Sequence, residues 1–164
     1  MDELTLLKLL VARVAVGRIN ARKLDELDLT SEDFSCCDLR GFSFERADLG
    51  CADFSIAILS EVKLRGGIFT MACFMGADLR QADLANGIFR EADFTGADLR
   101  GANLANSECQ YARFVNADLR GATLGEGLEQ ADFRGADLRG AQYSPHAFDC
   151  CKLSGALMST ESLS

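Results

Sequence analysis

A large apolar residue returns every five positions along most of this chain, and few folds can use that spacing. From about Leu24 onward the series runs Leu29, Phe34, Leu39, Phe44, Leu49, Phe54, Leu59, Leu64, Phe69, Phe74, Leu79, Leu84, Phe89, Phe94, Leu99, Leu104, Cys109, Phe114, Leu119 and Leu124. Two residues before each stands a small side chain, usually alanine, as at Ala47, Ala77, Ala97 and Ala117, with Asp or Asn most often between the two. A period of five matches neither the 3.6-residue turn of a helix nor the two-residue alternation of a long strand. In extended backbone, residues two apart share a side. Ala97 and Leu99 therefore face one way and Asp98 the other. The next two residues must turn the chain, and glycine stands at the second of them at 41, 66, 76, 96, 101, 121, 135, 140 and 155, as turn chemistry favours.

A second period sits on the first. Every fourth central residue is phenylalanine, from Phe34 through Phe54, Phe74 and Phe94 to Phe114, in steps of twenty. The next, Phe133, comes nineteen later, and the series continues as Leu128, Phe133, Leu138, Tyr143, Phe148, Leu153 and Met158. One residue is missing at the corner near Gly125-Glu126-Gly127, after which every column resumes. Four units therefore close one square coil, and coils stack at the interstrand spacing of ~4.8 Å. The predicted fold is an all-β solenoid over residues 21–158. Residues 1–20 are expected to form an α-helical cap, with Leu4, Leu7, Leu10, Val11 and Val14 at helical spacing, and residues 159–164 a polar tail. Tyr143-Ser144-Pro145-His146 breaks the pattern near the other end, where an irregular coil or a second subunit would cover the edge.

The unit, read in full at Ala97-Asp98-Leu99-Arg100-Gly101, resembles that of the pentapeptide-repeat proteins over roughly residues 24 to 158. The resemblance implies a right-handed quadrilateral β-helix, here of about seven coils. It also implies a non-enzymatic protein presenting rigid faces to other proteins. Many members have no known activity, and the family is abundant in cyanobacteria. The quinolone-resistance members suggest an alternative, an acidic DNA mimic that binds a type II topoisomerase (gyrase). This chain departs from them in three ways: no helix after the last coil, no long loop between coils, and an Asp column balanced by Arg.

Composition narrows the function further. With 17 Lys plus Arg against 25 Asp plus Glu, the net charge is −8, which disfavours phosphate-driven binding of nucleic acid. Seven cysteines, an odd number, suit a reducing compartment better than a disulfide framework. Met1-Asp2-Glu3 is acidic where a secretory signal is basic, and Leu4 to Val16 is too short to span a bilayer. A cytoplasmic protein is expected. The single histidine, His146, lies near the vicinal Cys150 and Cys151, but adjacent residues cannot both face it easily, so no metal site is expected. No nucleophile–base pair is placed by motif. No enzyme activity and no cofactor are expected, and the partner would be an unidentified protein. The chain itself would be a monomer, or a weak end-to-end or face dimer.

Two surfaces stand out. The Leu39 column is flanked by Asp38-Arg40, Asp78-Arg80, Asp98-Arg100, Asp118-Arg120 and Asp137-Arg139, which should stack as an outward ion lattice. The surplus acid then lies elsewhere, partly at Asp25, Glu26, Asp28, Glu32 and Asp33. The second surface is apolar where the repeat is elsewhere polar: Ile68, Met71, Cys73 and Met75, with Ile88 stacked above Ile68. It reads either as a partner-binding patch or as a local adjustment in which Ile packs down where Gly67 and Gly87 replace alanine.

Overall fold

The computed structural model describes residues 24–144 and 146–159. The expected N-terminal helix and all of the polar tail except Ser159 lie outside the described residues. The described chain winds as a four-walled parallel β-helix. Each five-residue unit is one short side and one corner, so regular strands of more than one bridge are confined to β1 (Asn103–Leu104) and β2 (Thr123–Leu124), paired in parallel. Single parallel bridges carry the same register through the stack, from Asp28↔Asp48 and Asp78↔Asp98 in steps of twenty. Glu108↔Gly127, Arg113↔Asp132 and Asp118↔Asp137 step by nineteen, and Asp132↔Lys152 returns to twenty.

One unit shows why these residues make this shape. Leu79 donates its N–H upward to the Asp98 carbonyl at 2.8 Å, and Asp78 donates downward to Ala57 at 3.0 Å. Ala82 closes the corner by donating back to Leu79 at 3.1 Å. The second corner residue is left-handed: Gly76, Gly96 and Gly101 have φ of 64°, 68° and 66°, where glycine carries no Cβ penalty. The aspartate has a local task as well as an outward orientation. Asp98 Oδ1 accepts the N–H of Arg100 at 3.3 Å, and Asp53 Oδ1 accepts that of Ser55 at 2.8 Å. This is an Asx-type bond that satisfies a corner donor.

The inward residues fill the tube. Phe34, Phe54, Phe74, Phe94, Phe114 and Phe133 stack face to face along one wall with ring centroids 4.7–5.0 Å apart. Phe148 then meets Phe133 edge-on at 5.1 Å and Tyr143 at 4.8 Å, making the irregular segment an aromatic clasp near that end. The leucine wall (Leu39, Leu59, Leu79, Leu99, Leu119, Leu138) is wholly buried.

Gly67 and Gly87 stand where a ring two residues on leaves no room for a Cβ. A Cβ on Gly67 would lie 2.6 Å from Phe69 Cε2, and one on Gly87 2.5 Å from Phe89 Cε2. These rings, stacked at 4.8 Å, occupy the space that alanine fills in other units; Ile68 is exposed and Ile88 half-buried. At the nineteen-residue coil, a Cβ on Gly125 would come within 3.0 Å of Asn106 N and one on Gly127 within 2.9 Å of Ser107 O. The missing residue draws the chain so close to the coil below that only glycine fits.

Candidate interaction faces

The ion lattice begins inside each coil. Arg80 donates from Nε and Nη2 to Asp78 at 2.7 and 2.6 Å, and Arg100, Arg120 and Arg139 repeat this fork on Asp98, Asp118 and Asp137 at 2.7–2.9 Å. The spacing Asp-Leu-Arg permits it, because Leu points inward while its two neighbours project side by side. Weaker contacts link the coils: Arg80 to Asp98 at 3.8 Å, Arg100 to Asp118 and Arg120 to Asp137 at 3.7 Å. The hydrogen bond from Arg holds the Asp78, Asp118 and Asp137 carboxyls below the usual carboxylate range. The same bonds push the guanidinium pKa values of Arg80, Arg100, Arg120 and Arg139 up. Asp38 and Arg40 form the same fork, but Ile58 and Ser60 in the next coil separate it from the ladder above. Sequence reasoning passed over one more such pair, Arg134 on the buried Asp132 of the phenylalanine wall, forked at 2.7–3.1 Å.

The apolar residues form a belt rather than one patch. Met71 stands at the corner that leads into the phenylalanine wall, 57% exposed, and Met75 at that wall's other edge, 44% exposed. Cys73 between them is half-buried, its Sγ 3.1 Å from Ser55 Oγ. Ile68 and the half-buried Ile88 pair across a bridge on the adjoining wall. Two members escaped the sequence reading. Ile58 stands in the aspartate position of the leucine wall, and Ile56 occupies the intervening corner, 66% exposed. Ile56 also has φ of 59°, an uncommon conformation for a β-branched residue. Both were legible by column, since Ile58 breaks the Asp series and Ile56 sits where later coils carry Gly76 and Gly96. Ile56, through its N–H, bonds the Met75 carbonyl at 2.9 Å, which sets the two residues in adjacent coils at the corner between the phenylalanine and leucine walls.

Surface grooves also lie outside the tube among the described residues. One of about 440 Å³ is lined by Glu91, Tyr111 and Arg113, and another, of about 340 Å³, by Ser60, Glu61, Arg80, Gln81 and Arg100. Both open to solvent. Among the described residues no cluster of three or more His, Cys, Asp or Glu side chains could hold a metal ion. His146 Nδ1 lies 3.2 Å from Asp149, and the Cys151 thiol donates to the Leu128 carbonyl at 3.0 Å. Burial pushes the Cys109 thiol up to about 12 and the Cys151 thiol up to about 11. All seven cysteines are free thiols. No helix among the described residues is long and apolar enough to cross a membrane.

No curated protein matches this chain. Among solved structures, the full-length QnrB1, a plasmid-mediated fluoroquinolone resistance protein, is 18% identical, with 84% of each chain covered and a TM-score of 0.56. A trypsin-treated variant of QnrB1 is 20% identical at the same coverage and TM-score. A pentapeptide repeat protein from the Arabidopsis thaliana thylakoid lumen is 26% identical over 80% of this chain and 73% of that one, with a TM-score of 0.48. The QnrB1 likeness is one of fold and agrees with a right-handed quadrilateral β-helix. The profile of pentapeptide repeats matches residues 33–70, 72–108 and 97–126 in eight copies, and the chain belongs to the pentapeptide-repeat family.

Proposed function

We propose that this chain is a non-enzymatic interaction protein, a rigid rod of about seven coils whose outer walls dock other proteins in the cytoplasm. The observation that carries this reading is the apolar belt. At Ile58 and Ile68 the chain gives up the aspartate that elsewhere bonds its own corner N–H, and at Ile56 it accepts a disfavoured backbone conformation. Exposed apolar residues that cost local stability fit an interface. Filled walls with open grooves favour docking over turnover, and seven free thiols fit a reducing compartment. Affinity capture from the native lysate tests the reading, with wild-type protein beside an Ile58→Asp/Ile68→Asp variant of matched melting temperature. A protein retained by the first and lost from the second is expected; identical captures would overturn it.

A second reading, a DNA mimic acting on a type II topoisomerase, draws on the fold shared with QnrB1 and the charge of −8. The leucine wall weakens it, because each of its carboxylates from Asp78 to Asp137 is forked by an arginine. A gyrase supercoiling assay separates the two. No effect at micromolar protein is expected, and protection or inhibition would reverse the order.

A further inference from the structure

We propose that the phenylalanine wall binds a second copy of this chain, the two rods lying face to face and antiparallel. This rests on the interaction reading above and names the partner for one wall. The wall is polarised. Asp33 and Asp53 project at one end; at the other stand the exposed Lys152 and Arg134, whose fork neutralises the buried Asp132. The bridges Asp33↔Asp53, Asp53↔Cys73, Cys73↔Asp93, Asp93↔Arg113, Arg113↔Asp132 and Asp132↔Lys152 fix the height of every position.

A two-fold axis lying in the plane of this wall, across the rod at the level of Asp93, reverses height and keeps lateral position. Three matches follow from that one operation. Met71 meets Tyr111, both at left-handed corners with φ of 59° and 62°, and Met75 meets Val115. Asp33 meets Lys152, whereas Asp53 meets Asp132, a buried carboxylate already forked by its own Arg134. A thioether against an aromatic ring is a favourable pair. The groove of about 440 Å³ lined by Glu91, Tyr111 and Arg113 lies where the partner's Met71 arrives. On the axis Asp93 meets its own copy, each held by its own Arg113 at 3.1 Å. Glu91 meets its own copy as well, so the repulsive cost falls along the axis. A parallel arrangement would instead place each of Asp33, Asp53 and Lys152 opposite itself, and like charges so placed oppose association.

Sedimentation velocity over about 1–200 µM tests this, in the range where a modest interface populates. The wild-type is expected to shift from the mass of one chain to that of two. Asp33→Lys and Lys152→Asp each weaken association about tenfold, since each change acts twice in a symmetric dimer. The double charge swap restores it, and an equimolar mixture of the two single variants associates. Met71→Asp abolishes it with an unchanged melting temperature. A wild-type of single-chain mass throughout overturns the proposal, as does unchanged association in either charge variant. Neither result touches the capture of another protein through Ile58 and Ile68.

Discussion

Replacing Gly67 with alanine adds one methyl group at a point where the interior has no room for it. The backbone at Gly67 is not left-handed, so the effect is purely steric. The new Cβ would stand 2.6 Å from Phe69 Cε2, 3.0 Å from its Cζ and 3.2 Å from the Ala47 carbonyl. The ring cannot step aside. It is fully buried, stacked on Phe89 at 4.8 Å and flanked by Phe74 at 5.8 Å. Overpacking of this kind costs about 1–3 kcal/mol. The coil below shows the remedy, since the same position carries Ala47 with Leu49. Phe69→Leu alone removes a stacked ring and leaves a void beside Gly67, so it is also destabilising. Made together, Gly67→Ala and Phe69→Leu recreate the pairing of the coil below, and the double variant should be more stable than the sum of the singles by at least about 1 kcal/mol. Urea denaturation followed by far-UV circular dichroism measures all four corners of the cycle. A Gly67→Ala variant within about 0.5 kcal/mol of wild-type, or strictly additive singles, would refute the reasoning.

Phe94→Ala, mid-column between Phe74 and Phe114 at 4.9 Å on each side, should cost about 3–5 kcal/mol. Phe34→Ala, whose ring among the described residues is stacked on Phe54 alone, should cost less in the same denaturation assay. The ladder carboxyls make the rod acid-sensitive. Asp78, Asp118, Asp132 and Asp137 are held low by their arginines. Their stabilisation is therefore complete above the unfolded pKa and lost as pH falls through the folded one, below about pH 4. Urea midpoints measured from pH 7 to 2 should show the fall, and Asp132→Asn should flatten it.

The columns were legible because every coil repeats them: up to Leu124 a residue's number, taken modulo twenty, names its wall and its orientation, and beyond it the same holds one lower. The corner shift after Leu124 was visible for the same reason. Other features depend on distances that no period encodes. The reason for Gly67 is a ring two residues on. The Asp132–Arg134 fork copies the leucine-wall motif on a wall where it occurs once, so no series announced it. Ile56 and Ile58 lie one coil below the stretch that drew the eye, and they join Met75 only around a corner.

A stack of near-identical coils risks slipping by one whole rung, since phenylalanine would still meet phenylalanine. Two irregularities remove that freedom. The Phe69–Phe89 pair with its glycines has no equivalent at neighbouring levels, and the coil shortened at Gly125 and Gly127 nests poorly on any but its own neighbour. They act as notches on a key, giving an otherwise translatable pile a single address for each turn. Restoring the missing corner residue would erase one notch while leaving the buried columns intact.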